Sequence, residues 1–497
     1  MEIDILSKLK SISISTYYTM PELILLCGIL LTILTGFVTR NKKTSFNALL
    51  AFAILAGSIS YTALSWHIYA SPINLFGGLI RSDDFSAYFK ILMDIGGLLT
   101  VLMSLQNKET PSHNFNSEYY SLILSAVLGA HLLVMSMNFI TIFLSLELLS
   151  ISAYVLAGYS FTKKGAEGSL KYFLFGSAAS AIMLYGFSIL FGITGTLDFA
   201  SADFVGRLLN NQSALLIVAG FMALAGFLYK IAAAPMHPWS PDVYEAAPIP
   251  IVAFLSVVPK LAGIAILSKF ILAINLFGQS AFDWQLILAV IAMLTITVGN
   301  FSALRQNNPK RMIAYSSIAQ AGFLLIGIVC FSIEGIHALL FYSTVYLISN
   351  FAVMVCLQAF EKNGVLAIPS FSGIGKPFIL PSIVLLIGLI SLSGIPPTGG
   401  FTSKLFVFAS LWSAYEQTGK ELLLWLLIFG LLNTVISLFY YLKIPYYSFL
   451  KPGVQSPLAQ NTQFENFLAL VLVVGVLFLF IRPDLLMGWL NTINFVL

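Results

Sequence analysis

The chain has 497 residues, of which 58% are apolar and 9% charged, and its mean hydropathy is +0.92. Soluble proteins carry about 25% charged residues, so a soluble globule is excluded, as are disordered and collagen-like chains. The 25 Lys and Arg against 21 Asp and Glu are too evenly balanced for a nucleic-acid or lipid-surface binder.

Apolar runs of roughly 20 residues, enough for a helix to cross a bilayer, recur along the chain without the period-2 alternation of a β-barrel. They predict an all-α polytopic membrane protein of about 14 transmembrane helices. In order, the spans are 18–39, 46–66, 84–105, 119–137, 139–161, 170–194, 210–234, 248–273, 284–304, 310–331, 335–360, 379–415, 421–445 and 464–488. The seventh runs into AAAPMHPW (232–239), and GIPPTGG (394–400) interrupts the twelfth. No cleavable signal precedes the first span.

An even number of spans puts both termini on one side and sorts the loops into two sets. One set holds 14 Lys and Arg, Arg40, Lys42, Lys43 and Lys108 among them, and the other holds 7, with Lys269 counted in a loop. The positive-inside rule then places both termini away from the cytoplasm. Cys27, Cys330 and Cys356 lie far apart in apolar runs with no metal spacing, which makes them packing residues. The GIGKP segment (373–377) lacks the spacing of a phosphate loop. Asn308-Pro309 reads as an N-cap with proline at N1.

A Lys or Asp at the centre of a bilayer helix costs about 2.5–3.5 kcal/mol even on the most lenient scale, so each asks for a reason. Lys90 and Asp94 stand at i and i+4 and can pair with each other. Glu147 and Lys260 sit mid-span with no opposite charge one turn away, so they need partners from other helices. Lys230 and Lys404 each adjoin a proline break, and interrupted backbone at membrane depth requires protein or water to satisfy it. Paired breaks of this kind mark ion sites in transporters and suggest two related five-helix units, spans 4–8 and 9–13. His237, between Pro235 and Pro238, either relays protons through water or satisfies freed carbonyls. His131 and His337 are read as helix-packing donors.

Five blocks then carry a resemblance: FLSLELLSISAYVLAGYS (143–160), EGSLKYFLFGSAASAIMLYG (167–186), KIAAAPMHPWSPDVYEAAPIPIVAFLSVVPKLAG (230–263), NNPKRMIAYSSIAQAGF (307–323) and SLSGIPPTGGFTSK (391–404). They resemble, in order, the N-subunit family of proton-pumping NADH:quinone oxidoreductase, respiratory complex I, whose members are antiporter-like. The resemblance implies helices 1–3 in residues 1–117, two inverted five-helix repeats in 118–273 and 274–450, and a last helix in 451–497. It implies proton translocation with Glu147 and Lys230 as an ion pair, Lys260 central and Lys404 in the other half; His237 joins these candidates from the reading of the first break alone. It also implies no cofactor or redox centre in this chain, with FMN, iron-sulfur clusters and quinone in partner subunits. The expected partners are an M-type antiporter-like subunit, small K-, J- and A-type subunits and the lipid bilayer of a bacterial inner membrane. A subunit of a cation/proton antiporter and a static scaffold of the membrane arm remain as alternatives.

Overall fold

The computed structural model describes residues 2–39, 44–69, 71–105, 116–209, 214–275, 283–453 and 462–495. Arg40, Lys42, Lys43 and Lys108 of the loop tally lie outside the described residues.

The chain opens with α1 (Glu2–Tyr18), α2 (Met20–Thr39), α3 (Thr44–Leu64) and the single turn α4 (Trp66–Tyr69). An antiparallel hairpin of β1 (Ile73–Leu75) and β2 (Ile80–Ser82) follows, with Asn74 opposite Arg81. Next come α5 (Asp84–Ser104), α6 (Asn116–Met135), α7 (Phe139–Ala157), α8 (Lys163–Thr194), α9 (Ala202–Leu209), α10 (Ala214–Ile231), α11 (Trp239–Ala246) and α12 (Ile249–Asn275). The second half holds α13 (Trp284–Leu304), α14 (Pro309–Val329), α15 (Ile333–Lys362), α16 (Ile379–Ser393), α17 (Gly399–Thr418), α18 (Glu421–Tyr441), α19 (Lys443–Leu450), α20 (Gln463–Ile481) and α21 (Pro483–Leu490). Among the described residues, 13 helical spans are long and apolar enough to cross a membrane. In the broken pair of α16 and α17, α16 is a shorter apolar helix. The protein is a multi-pass membrane protein.

Local sequence sets the helix ends where caps were expected. Asn308 accepts from the amides of Lys310 and Arg311 with Pro309 at the first helical position, satisfying donors that a helix start leaves orphaned. Asp83 caps α5 by accepting from the Ser86 amide, and Thr162 caps α8 through Gly165. The hairpin was not foreseen. It covers one end of the N-terminal helices: the Met137 amide donates to the Leu79 carbonyl at 3.1 Å, and the Phe76 amide donates to Ser15 Oγ at 3.0 Å.

The core runs along α12, whose residues 249–271 are all buried. It continues through Pro259 although proline removes one internal hydrogen bond. Lipid-facing helices look different. On α8 the buried positions form one narrow stripe that includes Gly165, Gly168, Tyr172, Gly176, Ala179 and Met183, and large apolar side chains such as Leu174, Phe175 and Tyr185 point outward. Cys330 and Cys356 are buried as packing residues, whereas Cys27 is exposed on α2.

Three readings of charge change. Lys269 is not in a loop: α12 extends past it, the side chain is 2% exposed, and its ammonium meets Asp83 Oδ2 at 2.7 Å. Lys90 and Asp94 find partners on other helices, Lys90 with Glu22 on α2, Asp94 with Ser58 on α3 and His131 on α6. His131 therefore does more than pack, while His337 fits its expected role, its Nε2 3.2 Å from the Ile493 carbonyl.

Candidate functional site

Both proline segments break a helix at depth. After α10, Ala232 takes a φ of 55°, the Ala234–Pro235 peptide is cis, and the chain restarts as α11. The freed Ala234 amide is satisfied by Thr295 Oγ1 of α13 at 3.0 Å. After α16, Gly394 turns the chain at φ 85°, where L side chains are strained, and Pro396–Pro397 is cis before α17. The end of α16 leaves carbonyls without helical partners, and lysine takes one: Lys404 Nζ donates to the Ser393 carbonyl at 2.8 Å. The same ammonium stands 4.2 Å from the centroid of the Phe323 ring, a cation–π contact.

Lys230 lies in the last turn of α10, just before the first break. It is 1% exposed, and its ammonium donates to Ser150 Oγ of α7 at 2.9 Å. Glu147 lies one turn earlier on α7, near enough for its charge to act on Lys230, Tyr154 and Tyr229. Its Oε1 is buried and has no hydrogen-bond partner among the described residues. The two charges thus face one another without the direct contact of an ion pair, and Ser150 holds the ammonium instead. Helices α10 and α12 approach closely here, since a Cβ on Gly263 would lie 2.7 Å from Ile231 Cγ2 and 3.5 Å from Lys230 Cβ.

Lys260, 1% exposed on α12, donates to Ser317 Oγ of α14 at 2.6 Å. Ser317 also lies 3.4 Å from the Tyr244 hydroxyl of α11. His237 in the first break is half-buried, within reach of the Lys260 charge, and its buried Nδ1 has no hydrogen-bond partner among the described residues.

From Lys260 a polar line crosses α14 toward the second break. Gln320, one turn beyond Ser317, donates to the Leu392 carbonyl at 2.7 Å and to the Tyr441 hydroxyl at 3.0 Å. The Leu392 carbonyl belongs to the residue before Ser393, whose carbonyl Lys404 occupies. Ser349 and Ser391 are 2.7 Å apart in the same layer. Sequence reading found the lysines and missed Ser150, Ser317, Gln320 and Tyr441. For Ser150 the signal was available, because i+3 from Glu147 lies on the same helical face. Asn433 of α18 receives Asn300 Nδ2 on its Oδ1 at 3.1 Å.

At the end of the first broken helix, outside the spans, α11 carries an ion network. Arg311 Nη1 meets Asp242 and Glu245, each at 2.8 Å; Lys171 meets Asp242 at 3.0 Å and Lys164 meets Glu245 at 2.7 Å. These residues line a cleft of about 170 Å³. Burial alone would raise both carboxyls, yet Lys171 and Arg311 beside Asp242, and Lys164 and Arg311 beside Glu245, hold them below the usual carboxylate range.

Residues 136–437 match the family described as NADH:quinone oxidoreductase/Mrp antiporter, TM. NADH-quinone oxidoreductase subunit N of Trichlorobacter lovleyi is 37% identical over 91% of each chain. The protein of that name from Chlorobium chlorochromatii is 34% identical over 96% of this chain and 93% of its own. Among solved structures, a chain of respiratory complex I from Thermus thermophilus superimposes with a TM-score of 0.79 at 28% identity, covering 95% of this chain and 100% of that one. A chain of the Mrp complex from Dietzia sp., at 19% identity, covers 96% of this chain and 97% of its own and shares the fold with a TM-score of 0.81. With this match over most of its length and these identities, the chain belongs to the NADH:quinone oxidoreductase/Mrp antiporter membrane-subunit family, among its subunit N relatives.

Proposed function

We propose that this chain is a membrane-arm subunit of an NADH:quinone oxidoreductase and translocates protons through Glu147, Lys230, Lys260, His237 and Lys404. The observation that carries the reading is the buried polar line from Ser150 and Lys230, past Lys260 and Ser317, to Gln320 and the Leu392–Ser393 carbonyls beside Lys404. Buried ammoniums in a membrane interior persist for function far more often than for stability. Repeats at 118–273 and 274–450, inverted with respect to each other, would bring the two breaks to corresponding places.

At contact distance and an effective dielectric near 20, a carboxylate stabilises an ammonium by ~4 kcal/mol. Moving Glu147 toward or away from Lys230 therefore changes how readily that lysine keeps its proton. The Ser150 hydroxyl holds the ammonium when the carboxylate stands off. A conformational or electrostatic signal from a neighbouring subunit would work this pair, and the proton would pass by water through Lys260 to Lys404. Each charge moved against 100 mV costs about 2.3 kcal/mol, which electron transfer in other subunits must supply. On this reading FMN, iron-sulfur clusters and quinone reside in those partners and no redox centre in this chain. The neighbours are an M-type antiporter-like subunit and small K-, J- and A-type subunits, in a bacterial inner membrane.

The test is proton movement per NADH oxidised in proteoliposomes of the whole complex. Glu147→Gln and Lys230→Ala should lower that ratio in complexes that still oxidise NADH. A wild-type ratio in both would reject translocation by this chain and favour a scaffold.

A further inference from the structure

A second set of buried charges lies outside the lysine line, in the N-terminal helices. Glu22 (α2), Lys90 and Asp94 (α5) and His131 (α6) are exposed by 5%, 1%, 0% and 0%. Lys90 Nζ meets Glu22 Oε1 at 2.8 Å, and Ser58 of α3 donates to Asp94 Oδ2 at 2.7 Å. His131 stands between the two carboxylates, Nδ1 at 3.1 Å from Glu22 Oε1 and Nε2 at 3.2 Å from Asp94 Oδ1. The second contact is out of hydrogen-bond alignment, and both its atoms lack another partner among the described residues.

That geometry favours a charged ring. A neutral imidazole carries one N–H, so one of the two carboxylates would face a ring nitrogen that bears no proton. Only an imidazolium offers a donor to both. Charge balance agrees, since two carboxylates and one ammonium leave one negative charge in a site shut off from water unless His131 carries its proton.

The position gives the proton a direction. Gly96 of α5 packs on Val258 of α12, where an added Cβ would come within 2.5 Å of Val258 Cγ2, and Asp83 of α5 pairs with Lys269 of α12. Residue numbers rise on α5 as they fall on α12, so the helices are antiparallel and Asp94 lies level with Lys260. From there the cluster climbs toward the end under the hairpin: His131 is four residues from the end of α6, and Glu22 is two residues inside the start of α2. By the loop charges this is the side away from the cytoplasm. Glu22 Oε2, buried without a hydrogen-bond partner among the described residues, is the last acceptor on the path. Lys269, held by Asp83 and Ser86, adds a positive charge within electrostatic reach of Lys90.

We propose that Asp94, His131 and Glu22 form a proton station between the depth of Lys260 and the non-cytoplasmic face, with Lys90 as the positioning residue that orients Glu22. In one turnover the Nδ1 proton of His131 passes to Glu22 Oε1, leaving a carboxylic acid and a neutral imidazole. Glu22 then releases the proton to water at the non-cytoplasmic end. The neutral ring, still carrying its Nε2 proton, swings so that bare Nδ1 faces Asp94, takes a proton delivered there from the depth of Lys260, and swings back. The role in translocation rests on the proposed function above, so Lys230→Ala is run alongside.

The experiment measures protons moved per NADH by the complete complex in proteoliposomes. His131→Gln should lose as much of that ratio as Lys230→Ala. His131→Arg keeps the positive charge on a guanidinium that does not give up its proton, and it should lose as much. The charge-balanced pair Glu22→Gln with Lys90→Gln provides an arm that does not strand a charge, and the same loss is expected. A wild-type ratio in His131→Arg or in the charge-balanced pair would overturn the station and leave a static charge cluster. If Lys230→Ala alone lowers the ratio, the station fails and the main reading stands; if no variant lowers it, both fail.

Discussion

The Lys404 ammonium donates to the Ser393 carbonyl at 2.8 Å, across the break between the two helices that carry them. A cation thus occupies the carbonyl that the interrupted helix leaves open. Lys404→Met should lose that bond while keeping the apolar stem over Phe323. A hydrogen bond from a charged group contributes about 1.5–3 kcal/mol, but burying the charge costs a comparable amount, so assembly on native gels should change little. Proton movement should fall.

Ser150 makes a separate test of the other half. Ser150→Ala removes the acceptor of the Lys230 ammonium and leaves Glu147 as its nearest counter-charge. Pumping should slow while NADH oxidation by the complex persists, and Ser150→Thr, which keeps the hydroxyl, should restore it. Equal pumping in Ala and Thr variants would show that the hydroxyl does not hold the ammonium during turnover.

Glycine at helix crossings gives a prediction with its own control. A Cβ at Gly299 of α13 would sit 2.6 Å from the Ala319 amide nitrogen and 2.8 Å from the Tyr315 carbonyl of α14, both backbone atoms that cannot swing aside. Gly299→Ala should destabilise by about 1–3 kcal/mol, seen as a lower unfolding temperature in detergent. Gly192 of α8 has open space around it, so Gly192→Ala should be neutral or slightly stabilising.

The network on α11 predicts an acid-side sensitivity. Asp242 and Glu245 have folded-state values below the ordinary carboxylate values of about 3.9 and 4.3. Their stabilisation is therefore full above those values and disappears as pH falls through the lower folded ones. Proteolysis near α11 should be flat from pH 6 to 8 and rise on acidification below about pH 4. Arg311→Gln should weaken that acid response, because it removes the cation both carboxylates share.

On the same face, Lys362 of α15 pairs with Glu465 of α20, with side chains 9% and 4% exposed. Glu465→Ala leaves the ammonium buried and uncompensated, a change that typically costs about 3–5 kcal/mol. The double variant with Lys362→Met should recover much of that loss in thermal unfolding.

Spans, breaks and the four lysine-line charges were legible because each leaves a local mark: an apolar run, a proline, or an ionisable residue inside it. Lys269 was misread because it lies close to a span end, where a lysine has a ready interfacial explanation; only Asp83, far off in sequence, shows that it is buried. Glu22 escaped for the same reason, at the start of α2. His131 looked like packing because neither carboxylate beside it is on its own helix. Partners that the chain brings together from distant helices leave no periodicity to read, and the hairpin's two three-residue strands are too short to stand out.

Residues 249–271 are shielded on every side. Such a helix has no lipid boundary, so hydrocarbon never solvates it in the finished protein. During synthesis it emerges before α13, α14 and α15 exist to enclose it, carrying Lys260 and Lys269 with only its earlier neighbours for company. The central lysine's surroundings are therefore completed late, by helices still to be made, and a chain interrupted after α12 would strand that charge against the bilayer or the insertion machinery.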